Sequence, residues 1–336
     1  MKEILIKINK LNEEIQRLKP VDLGLRKSLQ ERLRVEWTYN SNAIEGNTLT
    51  FGETAFFLRE GLTSEGRPLK DYLEVRNHAE AIDGLQDIVA RKRNLTEGLI
   101  KELHAVLLKG VEATEALGMG GQRIQKPVTP GQYKKRPNHV LTLSGKIHHY
   151  ADPLHVRDEM ERLLDWYHQA KEIHPVERGA IFHHRFVAIH PFDDGNGRMA
   201  RILMNLILMQ ERYPPCIIQM RHRRRYLESL EKTDVTGKTE VFVAFVAQEM
   251  LSTLETILNI MRGGDVGLPA IGKAMDATGR EQQILEVMRQ GTFPIGQIHA
   301  LLPQIKRPTL KSDLQRLVRL KKIQNRGVGK GVVYFI

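Results

Sequence analysis

The chain has 336 residues and carries 51 lysines and arginines against 40 acidic residues, so its formal net charge is +11. This length suggests two or three domains with ample core, and the charge favours anionic partners such as nucleotide, nucleic acid or an acidic protein surface without choosing among them. A single cysteine excludes an internal disulfide, and neither a secretory leader nor an apolar run of about 18 residues is found, so we expect a cytoplasmic protein that does not bind membranes.

Most of the chain shows helical periodicity, and runs typical of strands are few, so we predict a mostly helical fold. Residues 118–131 are rich in glycine and proline and predict a loop, and residues 133–145 predict a short hairpin, the only strand signal in the middle of the chain. The helices predicted around them cover residues 2–36 with a break at Pro20, residues 68–93, a helix capped by Thr96, and residues 153–171.

The end of the first helical region carries a polar pattern. Ser41 and Glu45 are four residues apart, so a helix presents both on one face. Gly46 suits the left-handed position just after a helix end. Thr50 and Glu53 have the spacing of a capping box for a further short helix. By themselves these residues predict no more than a junction between two helices.

A histidine, two adjacent carboxylates, a Gly-Asn-Gly turn and two arginines occupy the stretch from His190 to Arg201. Helices are predicted on both sides of it, over residues 176–189 and 198–209. A glycine-rich turn that enters a helix leaves backbone N–H groups unpaired, and the partial positive charge of that helix end also suits a phosphate. The sequence therefore predicts an anion site at this turn.

The charged side chains of this stretch fit chemistry on a bound phosphate. Arg198 and Arg201 are three residues apart, on one side of the first helical turn, where cations are unfavourable unless an anion occupies the turn. Asp194 is a hard oxygen ligand beside that anion, as Mg²⁺ on a phosphate requires. His190 is the group there that can take a proton near neutral pH.

The order His-Pro-Phe-x-Asp-Gly-Asn-Gly-Arg-x-x-Arg resembles the motif of the Fic family, and every defining position is filled. The resemblance implies a Fic-fold enzyme that transfers AMP from ATP to a hydroxyl side chain of a protein. It implies that His190 deprotonates the attacking hydroxyl, Phe192 anchors the loop and Asp194 holds Mg²⁺ between the phosphates. The implied nucleotide ligands are Gly195, Asn196 and Gly197 in the cradle, Arg198 for the α- and β-phosphates and Arg201 for the γ-phosphate.

The segment from Ser41 to Gly46 is similar to the inhibitory motif of the same family, Ser/Thr-x-x-x-Glu-Gly/Asn. The resemblance implies that Glu45 pairs with Arg201 and occupies the cation that should hold the γ-phosphate. ATP can still bind, but its α-phosphate is then badly placed for attack. In some family members the same glutamate supports removal of AMP from the target, which the sequence leaves open here.

Residues 133–145 resemble the Fic flap, whose extended edge can pair with a target segment by strand addition. The family often has arginine at the position of Lys134 and a glycine-rich turn where Leu143 and Ser144 stand. The resemblance also makes Tyr226 a candidate for holding adenine and Asp234, where the family often has asparagine, a polar candidate in the same pocket. The flap candidates for contact with the nucleotide are Thr142, Leu143 and Ser144.

The last part of the chain has a different pattern. Residues 262–279 predict a linker. Beyond it come three short helices and a glycine-rich turn at residues 327–331 between two short strands. This arrangement resembles a winged-helix domain, whose third helix can enter the major groove of DNA. Docking on the catalytic domain or on a protein partner is the alternative. The three helices are predicted over residues 281–290, 295–302 and 308–323.

Two functions follow from this organisation. One is an adenylyltransferase that uses ATP and Mg²⁺, is inhibited by Glu45 and modifies an unidentified protein, with the chain itself as one candidate target. The other is a DNA-binding regulator whose Fic domain is a nucleotide sensor. The sequence leaves open whether the transferred group is instead UMP, phosphate or phosphocholine. It also leaves open whether the protein forms a homodimer. The predicted domains are an N-terminal helical region with the inhibitory helix (1–95), a Fic catalytic domain (96–261), a linker (262–279) and a winged-helix domain (280–336).

Overall fold

The chain forms two compact units, one made of Met1–Leu49 and Gly61–Gly267, the other of Thr50–Glu60 and Leu268–Ile336. The first unit runs across the predicted boundary between residues 95 and 96, because apolar side chains of the N-terminal helices and of the central helices share one core. The computed structural model describes residues 1–18, 22–117, 123–141, 147–267, 277–288, 291–302, 305, 307–320, 322–327 and 332–335.

The fold is mostly helical, as predicted, with thirteen α-helices and seven short strands in the described residues. The helices are α1 (Lys2–Arg17), α2 (Leu23–Ile44), α3 (Phe51–Glu60), α4 (Leu69–Ala90), α5 (Glu97–Leu107), α6 (Val156–Gln169), α7 (Pro175–Ile189), α8 (Asn196–Gln210), α9 (Arg223–Thr236), α10 (Glu240–Met261), α11 (Ala277–Met288), α12 (Ile295–Leu301) and α13 (Arg307–Arg319). The strands are β1 (Ala113–Leu117), β2 (Arg123–Pro127), β3 (His139–Leu141), β4 (Ile147–His149), β5 (Phe293–Pro294), β6 (Gln324–Arg326) and β7 (Val333–Phe335).

Side-chain caps fix the start of two predicted helices. The Thr96 hydroxyl accepts a hydrogen bond from the Leu99 N–H at 3.2 Å, before α5. Thr50 and Glu53 form the predicted capping box, because each side chain accepts from the backbone N–H of the other at 3.2 and 2.8 Å. Such caps satisfy N–H groups that the first turn of a helix leaves unpaired. Both predictions are confirmed.

Helix α8 lies at the centre of the first unit. Every apolar side chain between residues 199 and 208 is fully buried. A helix that is apolar around its whole circumference has to be enclosed, and burial of each large side chain stabilises the fold by about 1.5–3 kcal/mol. Helix α7 packs against α8 at Gly179, where an added Cβ would lie 3.4 Å from Met204. Enclosure makes α8 a rigid base for the turn that precedes it.

By length and composition, helix α10 could cross a membrane. No other helix in the described part of the chain meets the same criterion. However, 67% of its apolar window is buried inside the fold. Phe242, Val246 and Leu254 belong to the same core as Ile8 and Ile15 of α1. Because core helices pass the same test, the window is a weak indication of a membrane span.

The middle of the first unit contains two antiparallel hairpins. Strands β3 and β4 pair from His139 with His149 to Leu141 with Ile147, so β3 lies within the predicted hairpin region 133–145 and β4 lies just beyond it. The flap candidates Thr142, Leu143 and Ser144 lie outside the described residues. The hairpin of β1 and β2 was missed, and β2 falls in the predicted loop 118–131. Its strands contain few β-branched residues, and backbone pairing forms them despite weak propensity.

The second unit has its own core, formed by α11 to α13 and an antiparallel sheet in the order β5–β7–β6. The three helices and strands β6 and β7 were predicted, whereas the two-residue strand β5 was not. Most of the predicted glycine-rich turn falls outside the described residues, and assignment of the unit as a winged helix stays a prediction. Buried apolar side chains of all three helices meet in this core, among them Ile284, Met288, Ile298, Leu310, Leu314 and Leu317.

Candidate active site

The turn between α7 and α8 is held by hydrogen bonds within it. His190 ends α7 in the left-handed conformation, with φ of 53°. The Asn196 side chain accepts from the Phe192 N–H at 2.9 Å and donates to the Phe192 carbonyl at 2.8 Å. Gly195, with φ of 74°, then starts α8 in a conformation that favours glycine. These contacts explain why a Gly-Asn-Gly sequence is needed here.

The turn is anchored from beneath by Phe192 and His104. The Phe192 ring is fully buried and stacks on the His104 imidazole with 3.6 Å between ring centroids. The Gly131 N–H donates to Nδ1 of His104 at 2.8 Å, so Nε2 carries the proton and donates to the Asp194 carbonyl at 3.0 Å. Burial lowers the pKa of His104 to about 4 and keeps the ring neutral. His104 thus acts in a polar network beneath the turn.

Asp194 and Arg198 form the charged part of the turn. The Gly195 N–H donates to the Asp194 carboxylate at 2.6 Å. Burial raises the pKa of Asp194, but Arg198 and this hydrogen bond outweigh it, so the pKa is lowered and the group is ionised. Arg198 is 3% exposed and lies 3.4 Å from Glu74 and 3.8 Å from Asp194. Its Nε and Nη1 atoms have no hydrogen-bond acceptor among the described residues.

His190 lies beside this turn with its imidazole partly buried. The Tyr150 ring stacks on it at 3.7 Å between centroids. Burial lowers the pKa of His190 to about 3, and the Lys134 ammonium adds to the effect. The pKa of Lys134 itself is lowered to about 8 by burial, and its Nζ donates to Asn138 at 2.7 Å. The imidazole is therefore neutral at physiological pH and able to accept a proton.

Arg201 has several partners, and most of them come from α2. Its Nε donates to the Ser41 hydroxyl at 3.0 Å, and Nη2 donates to the Ser41 carbonyl at 2.8 Å and the Glu45 carboxylate at 2.7 Å. From α9, the Tyr226 hydroxyl accepts from Nη1 at 3.4 Å. Burial works against the charge on Arg201, but Glu45 and Tyr226 more than offset it and raise its pKa.

Gly197 makes room for the Glu45 carboxylate. A Cβ at residue 197 would overlap Glu45 Oε1 and lie 3.3 Å from Arg201 Nη1. Gly46 follows Glu45 with φ of 97°, as predicted for the residue after a helix end. Two glycines thus allow the ion pair between Glu45 and Arg201. Gly197 leaves room for the carboxylate, and Gly46 adopts the backbone conformation that follows Glu45.

The remaining candidates are placed as follows. Tyr226 is 2% exposed, and its ring packs in the core with Phe242 and Phe245. Asp234 is exposed, and its carboxylate accepts a hydrogen bond from Nε2 of His184 at 2.8 Å. The assignment of Tyr226 and Asp234 to an adenine pocket stays a prediction.

The sequence analysis did not connect three residues with the motif that they contact. They are Glu74 beside Arg198, and Lys134 and Tyr150 beside His190. Glu74 also accepts from the side chain of Asn47 at 2.9 Å, and Asn47 lies two residues after Glu45. No spacing rule links these residues to the motif. The one available signal was that Glu74 is a charged residue on the inner face of α4. Glutamate is rarely buried unless it is paired, and Glu74 is 8% exposed.

Comparison with known proteins agrees with this geometry. The model of the Fic/DOC family matches residues 94–208, which include α5 to α7 and most of α8. A Fic domain containing signaling protein from Bacteroides thetaiotaomicron is similar with a TM-score of 0.69 at 31% sequence identity, over 79% of this chain and 100% of that one. A fragment of Fic-1 from Caenorhabditis elegans is similar with a TM-score of 0.65 at 26% identity, over 78% and 72% of the two chains.

The chain therefore belongs to the Fic family. Among curated relatives, protein adenylyltransferase fic-1 of Caenorhabditis elegans is 28% identical over 265 residues. That alignment covers 78% of this chain and 48% of the relative. The chain thus spans about half the length of the curated relatives it matches.

Proposed function

We propose that this chain is a protein adenylyltransferase, which transfers AMP from ATP to a hydroxyl side chain of a protein and is inhibited by Glu45. One observation carries the proposal. Arg198 is buried at the start of α8, beside the ionised Asp194, and its Nε and Nη1 atoms make no hydrogen bond, although Nη1 lies 3.4 Å from Glu74. The neutral His190 lies at the same turn. Buried donors without acceptors are unfavourable, and a phosphate group would satisfy them.

In the proposed reaction His190 takes the proton of the attacking hydroxyl. The hydroxyl oxygen bonds to the α-phosphorus, the bond from that phosphorus to the β-phosphate oxygen breaks, and pyrophosphate leaves. Arg198 and the backbone N–H groups of the turn stabilise the negative charge. The phosphates of bound ATP should raise the pKa of His190 from its low value, because they favour the charged imidazolium.

The site fits a Mg²⁺ ion that is coordinated mainly by the nucleotide rather than by a full set of protein ligands. Asp194 supplies one ionised carboxylate beside the turn. The described part of the chain has no cluster of three or more His, Cys, Asp or Glu side chains that could hold a metal. Mg²⁺ commonly binds through one or two carboxylates, water and substrate phosphates, and it would reduce the repulsion between those phosphates.

The inhibitory part of the proposal depends on the 2.7 Å ion pair of Glu45 with Arg201. A carboxylate on this cation takes the place of the outer phosphate of ATP and repels it. ATP that binds with its outer phosphate displaced presents the α-phosphorus at the wrong distance or angle for attack. Removal of AMP with the help of Glu45 is part of the same proposal. It can be tested by measuring the loss of AMP from a modified target protein.

The test is mass spectrometry of the Glu45→Gly protein after incubation with ATP·Mg²⁺. We expect added adenylyl groups on the protein itself, at a higher level than in the wild type. The matched control, Glu45→Gly with His190→Ala, should lose about 10²–10⁴-fold in rate, because the general base is removed. An active wild type with no gain in Glu45→Gly would refute the inhibition. Equal labelling with and without His190 would refute the assigned base.

A second candidate function, binding of duplex DNA, is favoured by the charge of the second unit. Residues 280–336 hold eleven lysines and arginines but three acidic residues. Two of those acids, Glu281 and Asp313, are buried and paired with Arg316 and Arg280. A groove of 1120 Å³ beside α13 is lined by residues that include Arg307, Lys311, Gln315, Arg319 and Asn325.

DNA binding can be tested with the full chain by fluorescence anisotropy on a labelled duplex. We expect affinity to fall as salt rises, because cations that contact phosphates release counterions. Lys311→Glu with Arg319→Glu should weaken binding at least about tenfold. Lys2→Glu with Lys10→Glu changes the net charge equally on α1 and should have a small effect. No binding at low salt would leave protein docking as the role of this unit.

A further inference from the structure

The contacts of Arg201 divide by the element that supplies them. Ser41 and Glu45 both belong to the end of α2, the segment that inhibition requires to be in place. Among the described residues, the Tyr226 hydroxyl on α9 is the one side-chain acceptor for Arg201 from another element. When the outer phosphate of ATP replaces Glu45, the contact between Arg201 and the Tyr226 hydroxyl of α9 can persist unchanged.

The Tyr226 hydroxyl is itself held in place. It lies 3.1 Å from Nε2 of His183, which is fully buried. Burial and the neighbouring Arg201 charge lower the pKa of His183 well below its usual value, so the ring is neutral. Because the guanidinium can only donate, the hydroxyl accepts from Arg201 and its own proton is free for Nε2 of His183. The hydrogen bonds thus run in one direction from Arg201 to His183.

The ring of Tyr226 cannot turn away from this position easily. Its centroid lies 6.0 Å from Phe242 and 5.9 Å from Phe245, and the residue is 2% exposed. A ring that is enclosed in this way has little surface left on which a nucleotide base could stack. The burial therefore favours a role through the hydroxyl over a role through the ring face.

We propose that Tyr226 is a positioning residue, which holds Arg201 in the conformation that binds the outermost phosphate of ATP after Glu45 has left. His183 supports it by fixing the direction of the hydroxyl. The inference rests on the proposed function, since it needs ATP to bind at the turn before α8. It differs from the adenine contact that the family resemblance implied for Tyr226.

The test compares two nucleotides, a non-hydrolysable ATP analogue with Mg²⁺ and ADP with Mg²⁺, by calorimetry on the full chain. The parent is Glu45→Gly, and the variant adds Tyr226→Phe, which removes the hydroxyl but keeps the ring. We expect the ATP analogue to bind about fivefold more weakly to the variant. ADP lacks the outermost phosphate, so its affinity should stay within about twofold.

Tyr167→Phe in the same parent is the matched control, because it removes a hydroxyl that contacts Gln210 instead. It should leave both affinities unchanged. A second variant, His183→Leu, reaches the same hydroxyl from its other side and should give a smaller loss that is again specific for the ATP analogue. Thermal unfolding of each variant confirms that it is folded.

Three outcomes would overturn the inference. Equal losses for the ATP analogue and ADP would assign Tyr226 to the base or sugar. Unchanged affinity in both Tyr226→Phe and His183→Leu would show that Arg201 needs no support from α9. Failure of the parent itself to bind either nucleotide would remove the proposed function and, with it, the inference.

Discussion

Arg198 and Arg201 are one helical turn apart in α8 and similarly buried, yet their guanidinium groups have different surroundings. Arg201 donates to Ser41, Glu45 and Tyr226. Arg198 lies near two carboxylates but keeps two nitrogens without an acceptor among the described residues. Arg201 is thus hydrogen-bonded to a carboxylate of the protein, whereas Arg198 keeps N–H groups that make no hydrogen bond. Under the proposed function, this difference would let control act on one arginine while the other stays in place.

The largest expected effect tests that difference directly. In the wild-type chain, Arg198→Gln should weaken binding of a non-hydrolysable ATP analogue with Mg²⁺ about hundredfold, because a charged donor with several N–H groups for the phosphates is lost. Arg201→Gln should change it by about threefold or less, because Glu45 already occupies that cation. Calorimetry of the two variants gives the comparison. Equal losses would mean that both arginines are equally available, contrary to the structure.

On the Arg198 side of the turn, the neutral His104 predicts a loss of stability in acid. Its pKa is about 4 in the fold and 6.5 as the ordinary value, so below pH 6.5 the unfolded chain binds a proton that the folded chain does not. The free energy of unfolding should therefore decrease as the pH is lowered. At pH 5 the loss caused by His104 should be about 2 kcal/mol. The loss is complete once the pH passes below the folded pKa.

Urea unfolding at pH 7.5, 6 and 5 measures this effect. His104→Gln cannot take up the proton, so its stability should depend less on pH than that of the wild type, whatever its absolute value. A parallel decline in the two proteins would assign the acid sensitivity to other buried histidines.

On the Arg201 side, Gly197→Ala gives the smallest effect. The added Cβ overlaps the Glu45 carboxylate, so the ion pair should weaken and self-labelling should rise several-fold over the wild type, by about three- to fivefold. Labelling should stay below that of Glu45→Gly and show no gain when the two changes are combined. A variant less active than its parent in both backgrounds would instead assign Gly197 to phosphate binding.

The fold could be predicted where local signals were sufficient. Helix α5 begins after Thr96 and α3 after Thr50 because those hydroxyls cap the first turn, which is decided within four residues. The β1–β2 hairpin was missed because Ala113–Leu117 and Arg123–Pro127 lack an alternating pattern, and their pairing is stabilised by backbone hydrogen bonds. Propensity fails where backbone pairing, rather than side chains, holds the element together.

The turn from His190 to Arg201 could be predicted from sequence alone, because twelve consecutive residues contain the cap, the hydrogen-bonded asparagine and both cations. The sequence could not determine how those groups are used. Glu45 is 156 residues away from Arg201, and Lys134 reaches His190 from another segment. Only packing around α8 decides which cation is filled, which stays available and how far burial lowers the pKa of the imidazole, since each depends on groups that the chain brings together from a distance.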